Sequence, residues 1–252
     1  MQSFTDLLIN PLRQALGERV YVFDSIDSTN NYLATATQPA LCLAWQQSAA
    51  RGRGGKLWHS YKGNLALSLT WPFASHPAAQ GLSLVAGLAL AHCLVECGLK
   101  PQIKWPNDLL LGGKKIAGIL IETHATAHQV IAIIGVGVNL VAHPPDMPAA
   151  LPATNLQEEL RDKLPRSEKF AAALANHLFR LLVRFTQQGF VFLRSDWLAH
   201  ACWLGQQVTI GGEHGVLCGV DNQGHAQLAT DQGIKALGHG SMRLMSGKEH
   251  PE

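Results

Sequence analysis

The chain has 252 residues, 47% of them hydrophobic, and a formal net charge of +2, which suits one large domain or a large one with a small companion. So small a charge excludes a global basic field of the kind that draws a protein onto nucleic acid. The five cysteines contain no CxxC pair, which argues against a disulfide frame or a zinc knuckle. Twelve histidines are scattered without ligand spacing, and no residue is assigned as a metal ligand. No basic flank and apolar core mark the N-terminus, and no uninterrupted apolar run reaches membrane-spanning length. The expectation is a soluble, cytoplasmic protein without a membrane partner.

In chain order, residues 4–16 have helical spacing (Leu8, Leu12, Ala15, Leu16) weakened by Pro11, and Gly17 is the stop. Val20 to Phe23 reads as a short strand. Asp24-Ser25-Ile26-Asp27-Ser28-Thr29-Asn30-Asn31 follows, dense in hydroxyls and amides. Asp27 or Ser28 is suited to cap a helix running to about Ala36, and a strand end feeding a helix start is also a common ligand position. The apolar run 41–45 leads into the stretch that organises the chain, Gln47 to Trp58, which packs Arg51-Gly52-Arg53-Gly54-Gly55-Lys56 into six residues. Glycines let a backbone pass close to a ligand, and arginines supply forked donors for phosphate or carboxylate. It lacks the GK[ST] ending of a Walker loop and the following helix of a dinucleotide fingerprint. It reads as a strand-to-strand loop around an anion, or as a basic solvated hairpin.

Residues 65–71 alternate as a half-buried strand, and 82–97 place apolar side chains at helical spacing on one face, with Gly98 and Pro101 beyond. Residues 102–105 form a strand that runs into the polar turn Pro106-Asn107-Asp108. Residues 109–111 and 116–122 flank Gly112-Gly113 as a hairpin, with Lys114 and Lys115 just after its turn. Residues 129–134 and 138–141 read as separate strands divided by Gly135-Val136-Gly137. A Pro/Ala-rich loop (143–152), a long amphipathic helix (167–185) and a helical segment (190–203) follow. From Leu204 short alternating runs between Gly- and Asp-rich turns mark an all-β module of four or five strands.

Four polar clusters therefore stand at strand ends or hairpin tips: 27–30, 47–58, 104–108 and 114–115. They combine neutral hydrogen-bonding groups, cations for phosphates, and the Asn107 and Asp108 oxygens for magnesium. No Ser-His-Asp or Cys-His arrangement is evident. Phosphoryl or nucleotidyl transfer to a carboxylate fits, because it needs positioning and charge neutralisation more than a protein nucleophile.

In this order the clusters resemble the biotin protein ligase family, of the bacterial kind that modifies the carrier subunit of acetyl-CoA carboxylase. The likeness rests on Ser28-Thr29-Asn30, the Gln47…Arg51-Gly52-Arg53-Gly54-Gly55…Trp58 loop, Lys104-Trp105-Pro106-Asn107-Asp108, Lys115-Ile116-Ala117-Gly118-Ile119-Leu120-Ile121-Glu122 and Gly135-Val136-Gly137-Val138-Asn139, and covers nearly the whole chain. It implies an α+β fold: a central mixed or antiparallel sheet with helices packed on it, like class II aminoacyl-tRNA synthetases. A catalytic domain over 1–203 would precede a small SH3-like β-barrel over 204–252. It implies biotin, ATP and Mg2+ as small molecules and two half-reactions, formation of biotinyl-5′-AMP and transfer to a lysine of the biotin carboxyl carrier protein. Ser28, Thr29, Asn30, Gln47, Arg51, Gly52, Arg53, Lys115 and Gly118 would surround biotin, with Ser28, Thr29 and Gln47 on its ureido ring. Trp58, Lys104, Asn107, Asp108, Lys115 and Asn139 would surround ATP, with Asn139 near the adenine. Lys115, Arg51 and Arg53 would form the catalytic set. DNA is not expected as a partner, since Ser28 stands too early to leave room for an N-terminal winged helix; a homodimer is left open.

The chain departs from the family pattern in two places. Ala50 replaces the usual glycine before Arg51, which would restrict φ and shift the ureido contacts. No aromatic lies between Val141 and Ala153 to close over the adenine, leaving Met147 or Leu151 for that place. Trp58 and Trp105 also suit a core, Pro106 a turn and Asp108 a turn cap, and Glu122 reads equally as structural or functional. A lipoate or octanoate ligase would share the layout but has no use for ureido-binding groups. A non-catalytic regulator sensing biotinyl-AMP conflicts with the near-neutral charge, and a plain binding module with the clustered cations.

Overall fold

A computed structural model describes residues 3–145 and 151–245. Its centre is a seven-stranded sheet of β1 (Val20–Phe23), β2 (Leu41–Ala44), β3 (Leu65–Phe73), β4 (Gln102–Lys104), β5 (Asp108–Leu111), β6 (Lys114–Ala125) and β7 (Val130–Val138). The order is β1-β2-β3-β7-β6-β5-β4. Only β1 and β2 run parallel; the other pairs are antiparallel, so the sheet is mixed as expected. The helices are α1 (Asn10–Leu16), α2 (Thr29–Tyr32), α3 (Leu82–Glu96), α4 (Leu156–Leu160), α5 (Ser167–Gln188) and α6 (Arg194–Ala199).

One face of the sheet carries the main core. Leu65, Leu67 and Leu69 of β3, Ile134, Val136 and Val138 of β7 and Ala117 and Ile119 of β6 pack with α3 and α5. The other face holds a smaller cluster, Leu33, Ala40, Cys42 and Ile133, and beside it the residues of the clefts described below. β3 is thus buried on both faces along Leu65–Thr70, not half-buried as its alternation suggests. Its second face, Ala66, Ser68 and Thr70, is small and polar: Ser68 bonds Thr29 and Asn30, and Thr70 Oγ1 accepts the Ala40 N–H at 2.8 Å. The helix α3 is likewise buried all round. Residues Pro77–Glu96 are long and apolar enough to cross a membrane by length and composition (mean hydropathy 1.7), although Gln80, Ser83 and His92 interrupt the apolar run. Here they pack mainly inside the fold.

Several boundaries differ from the sequence expectation for local reasons. Pro11 starts α1 rather than breaking it, since a proline in the first turn costs no hydrogen bond; a short 3-10 turn at Thr5–Leu7 precedes it. The helix after Ser28 ends at Tyr32, not near Ala36. Asp108 is not part of a turn but the first residue of β5. Residues 190–203 hold only a 3-10 turn and the six-residue α6, and α4, capped by Asn155 Oδ1 on the Glu158 N–H, follows the Pro/Ala-rich loop. The two expected strands around Gly135-Val136-Gly137 are one continuous strand, β7. The glycines there serve close approach instead of a turn: a Cβ on Gly135 would lie 2.5 Å from Asn30 Oδ1, and one on Gly137 2.8 Å from the Trp58 indole.

The C-terminal strands β8 (Gln207–Ile210), β9 (Glu213–Val220), β10 (Ala226–Thr230), β11 (Gly233–Leu237) and β12 (Met242–Leu244) form an antiparallel sheet in the order β11-β10-β9-β8-β12. It is joined to the larger body by apolar packing, since Val208, Ile210, Leu217, Val220 and Leu228 belong to the main core. The indole N–H of Trp105 donates to Gly224 O at 3.0 Å across that junction, so Trp105, 1% exposed, is a core aromatic.

Candidate functional site

On the sheet face opposite α3, two cavities lie side by side. The smaller, about 350 Å³, is walled by Ser28, Thr29, Asn30 and Gln47, by the Arg51–Trp58 loop, and by Asn107, Gly118, Gly135 and Gly137. The larger, about 670 Å³, takes in His59, Lys104, Asn139, Pro144, Leu151, Ala153, Trp203 and β12. Trp58, Asp108 and Lys115 wall both, with the exposed Lys56, Leu57 and Ser241. All four polar clusters of the sequence therefore converge on one cleft.

A β-bulge brings Lys115 to it. The β5/β6 register shifts between Leu109 and Leu110, so that Leu109 faces Ala117 while Leu110 faces Lys115. Strict alternation would turn Lys115 and Gly118, three residues apart, to opposite faces of the sheet; the extra residue puts both on the cleft. Gly118 pairs with Gly137 across the β6/β7 ladder. A Cβ on either would meet the Trp58 ring at 3.0 or 2.8 Å, so this bare patch of sheet is what seats the indole. The Lys115 ammonium then stands 5.4 Å from the Trp58 ring centroid.

Charge at the junction is arranged around Asp108. Its Oδ1 is 2.5 Å from Lys115 Nζ and its Oδ2 3.2 Å from Lys104 Nζ, and Lys104 in turn lies 5.9 Å from the Trp203 ring. Burial works to raise the Asp108 pKa, but the two ammonium groups outweigh it and hold the carboxyl below its usual range. Two lysines on one carboxylate leave net positive charge facing the cleft. Asn107 donates to Ile119 O at 2.9 Å and so ties the turn to β6.

The smaller cavity is floored by a neutral network. Gln47 Oε1 accepts from Thr29 N at 2.7 Å and from Thr29 Oγ1 at 3.1 Å. Ser68 Oγ is within hydrogen-bond reach of Thr29 Oγ1 (2.7 Å) and Asn30 Oδ1 (2.6 Å). Asn30 donates to Glu122 Oε2 at 2.7 Å. Ser28 is the N-cap of α2, accepting the Asn31 N–H at 3.3 Å, which leaves its own hydroxyl proton for another acceptor. Capping and ligand binding are thus compatible at this residue.

The arginines of the loop are tied by hydrogen bonds to the body of the protein. Arg51 donates to Asn31 Oδ1 at 2.7 Å and pairs with Glu122 at 3.5 Å. Arg53 donates to Gly240 O and to Ser241 Oγ of the C-terminal sheet. Both guanidinium groups brace the loop against the body, which leaves its backbone to face the cavity. Ala50 is buried and its φ is not positive, so the expected backbone restriction is absent.

Asn139 follows β7 at the wall of the larger cavity; its Nδ2 donates to Thr154 O at 3.1 Å, and its buried Oδ1 has no partner among the described residues. Leu151 lines this cavity, whereas Met147 lies outside the described residues. Sequence reasoning missed Ser68, Trp203 and the Gly240–Ser241 contact. Ser68 carried a weak signal, a hydroxyl in an otherwise apolar strand; the other two, distant in sequence, carried none.

The model of the Biotin/lipoate A/B protein ligase family matches residues 22–139. The bifunctional ligase/repressor BirA of Escherichia coli is 35% identical over 250 residues, covering 94% of this chain and 78% of the relative. The biotin–[acetyl-CoA-carboxylase] ligase of Paracoccus denitrificans is 38% identical over 198 residues, 73% of this chain and 82% of the relative. Among solved structures, the biotin protein ligase of Aquifex aeolicus in complex with biotin and ATP superposes with a TM-score of 0.74 at 25% identity, covering 90% of this chain and 99% of that one. With its cleft, its motifs and these relatives in agreement, this chain belongs to the biotin protein ligase family.

Proposed function

We propose that this cleft activates biotin with ATP and then passes the biotinyl group to a lysine of the biotin carboxyl carrier protein, as a biotin–[acetyl-CoA-carboxylase] ligase. The observation that carries this reading is the shared wall: a cavity floored by neutral hydrogen-bonding groups meets a larger one at Lys115, Asp108 and Trp58. The residues on that wall are those a carboxylate and an α-phosphate would need when brought together.

A carboxylate oxygen of biotin attacks the α-phosphorus of ATP; the bond from that phosphorus to the bridging oxygen breaks and pyrophosphate leaves. The ε-amine of the carrier lysine then attacks the carbonyl of the mixed anhydride, loses a proton, and AMP departs as the amide forms. Ser28, Thr29 and Gln47 serve the ureido ring, with Ser68 linking Thr29 to Asn30 behind them. The backbone of Arg51, Gly52 and Arg53 closes over the valeryl chain, and Gly118 keeps the Trp58 indole seated beside it. Lys115 offsets the charge that grows on the α-phosphate, a preorganised cation in a partly dry site. Trp58, Lys104 and Asp108 take the nucleotide's phosphate side, whereas Asn107, expected there too, walls only the smaller cavity. Asn139, with an unpartnered Oδ1, suits the amino group of adenine.

Magnesium fits as an ion carried by the triphosphate. Asp108 is the one carboxylate among the described residues walling either cavity, and both its oxygens are on lysines. Such an ion would keep phosphate and water ligands and would supply charge neutralisation for the pyrophosphate. Residues 1–203 are read as the ligase domain of class II synthetase type and 204–252 as an SH3-like module, supported by the antiparallel five-strand sheet. ATP dependence fits action in the cytoplasm. The test is pyrophosphate release without carrier: biotin should support it and lipoate should not. The reverse pattern would overturn the reading.

A further inference from the structure

Three metal-ligating side chains meet away from the cleft, where α3 crosses α6. His92 lies on α3, and Asp196 and His200 stand four residues apart at α6 and its C-cap, hence on one face. His92 Nε2 is 3.0 Å from Asp196 Oδ2, the His92 and His200 ring centroids are 6.3 Å apart, and one ligand atom from each residue lies within 4.8 Å of the others. All three are half-buried. The carbonyl of Pro101 stands 3.4 Å from His200 Nδ1, the kind of partner a metal-bound imidazole takes with its other nitrogen. A second pair stands beside them: His177 Nε2 is 2.9 Å from Glu96 Oε1, its ring edge-on to His92 at 5.7 Å. Between Leu82 and Glu96, α3 has Ser83, His92 and Glu96 as its only polar side chains. An imidazole turned toward a carboxylate and a second imidazole is out of keeping with so apolar a helix.

We propose that His92, Asp196 and His200 bind one divalent transition-metal ion of the zinc class, with water in the remaining position. Two imidazoles and a carboxylate suit Zn2+, Co2+ or Ni2+ rather than the oxygen-seeking Mg2+ or Ca2+. Ligands at about 2.0–2.2 Å from a tetrahedral ion stand about 3.4 Å from one another, a spacing that small rotamer changes in these three residues reach. The site takes no part in the ligation chemistry. It sits on the support of the larger cavity: His200 O accepts the Ile103 N–H at 2.7 Å and Ile103 O accepts the Cys202 N–H at 2.9 Å. That bridge leads on one side to Lys104 and on the other to Trp203. A bound ion therefore braces α6 and this crossing and stabilises the fold.

The experiment uses untagged full-length protein stripped with a chelator and returned to metal-free buffer. Zn2+ is titrated by calorimetry, Co2+ by visible absorption, and melting is followed with and without zinc. One ion per chain is expected, with the intense bands of four-coordinate cobalt and a raised melting temperature. His92→Ala and Asp196→Asn should weaken zinc binding at least about tenfold and abolish the melting shift. His225→Ala, at the separate His225–Asp221 pair, should change neither. His200→Gln serves if His92→Ala does not fold. Absence of saturable binding, or binding as tight as wild type's in the His92 and His200 variants, would overturn the proposal.

Discussion

Replacing Lys115 by alanine is the sharpest perturbation of the cleft. The side chain is 29% exposed, its ammonium is 2.5 Å from Asp108 Oδ1, and it walls both cavities. Loss of one preorganised charge at a developing transition state costs on the order of 3 kcal/mol, or about a hundredfold in rate. The stability cost is smaller. A buried carboxylate left wholly unpaired costs about 3–5 kcal/mol, but Lys104 remains 3.2 Å from Asp108. With Lys115 partly in water, its own share is roughly 1 kcal/mol, a fall in melting temperature of about 2–4 °C. Initial pyrophosphate release at saturating biotin and ATP measures the first quantity and a thermal melt the second. A variant within about threefold of wild type, a change of about 0.65 kcal/mol, would mean that Lys115 does not carry this charge; Lys114→Ala would then be the variant to measure.

Gly137→Ala should push the Trp58 indole off its seat, since the new Cβ would lie 2.8 Å from it; overpacking of about 1–3 kcal/mol should appear as weaker binding of both biotin and ATP by calorimetry. Arg53→Gly removes the contacts with Gly240 and Ser241 and should loosen the loop, so that biotinyl-AMP escapes and labels bystander proteins in a mixed lysate, where wild type labels chiefly the carrier. Acid should act through Asp108. Its folded pKa is depressed below the ordinary 3.8, so its stabilising contribution is present above that value and is lost as pH falls through the folded pKa; urea melts across the acid range should show this loss, and Asp108→Asn should reduce it.

The strand-end clusters were legible because each is local: Ser28-Thr29-Asn30, the glycine-arginine loop and the lysines after the Gly112–Gly113 hairpin. What was not legible depends on neighbours remote in sequence. Gly135 and Gly137 read as a break, because glycine in isolation signals a turn; only Asn30 and Trp58 packed against them reveal a continuous strand. In α3 almost every residue is apolar, so a one-face pattern can be drawn through a helix that the sheet and α5 enclose. The bulge that aims Lys115 needs the β5 register. Arg53 reads as a phosphate ligand in the sequence, but its side chain lies on Gly240 and Ser241, 187 and 188 residues away. Trp203 supplies the aromatic that the 141–153 segment lacks on the larger cavity.

The most direct measurement is the structure of the protein with a non-hydrolysable analogue of biotinyl-5′-AMP. The expected density has the ureido ring against Ser28, Thr29 and Gln47, the phosphate surrogate beside Lys115, and the adenine in the larger cavity near Asn139. An adenine in the smaller cavity, or an acyl-phosphate linkage far from Lys115, would contradict the assignment of the two cavities.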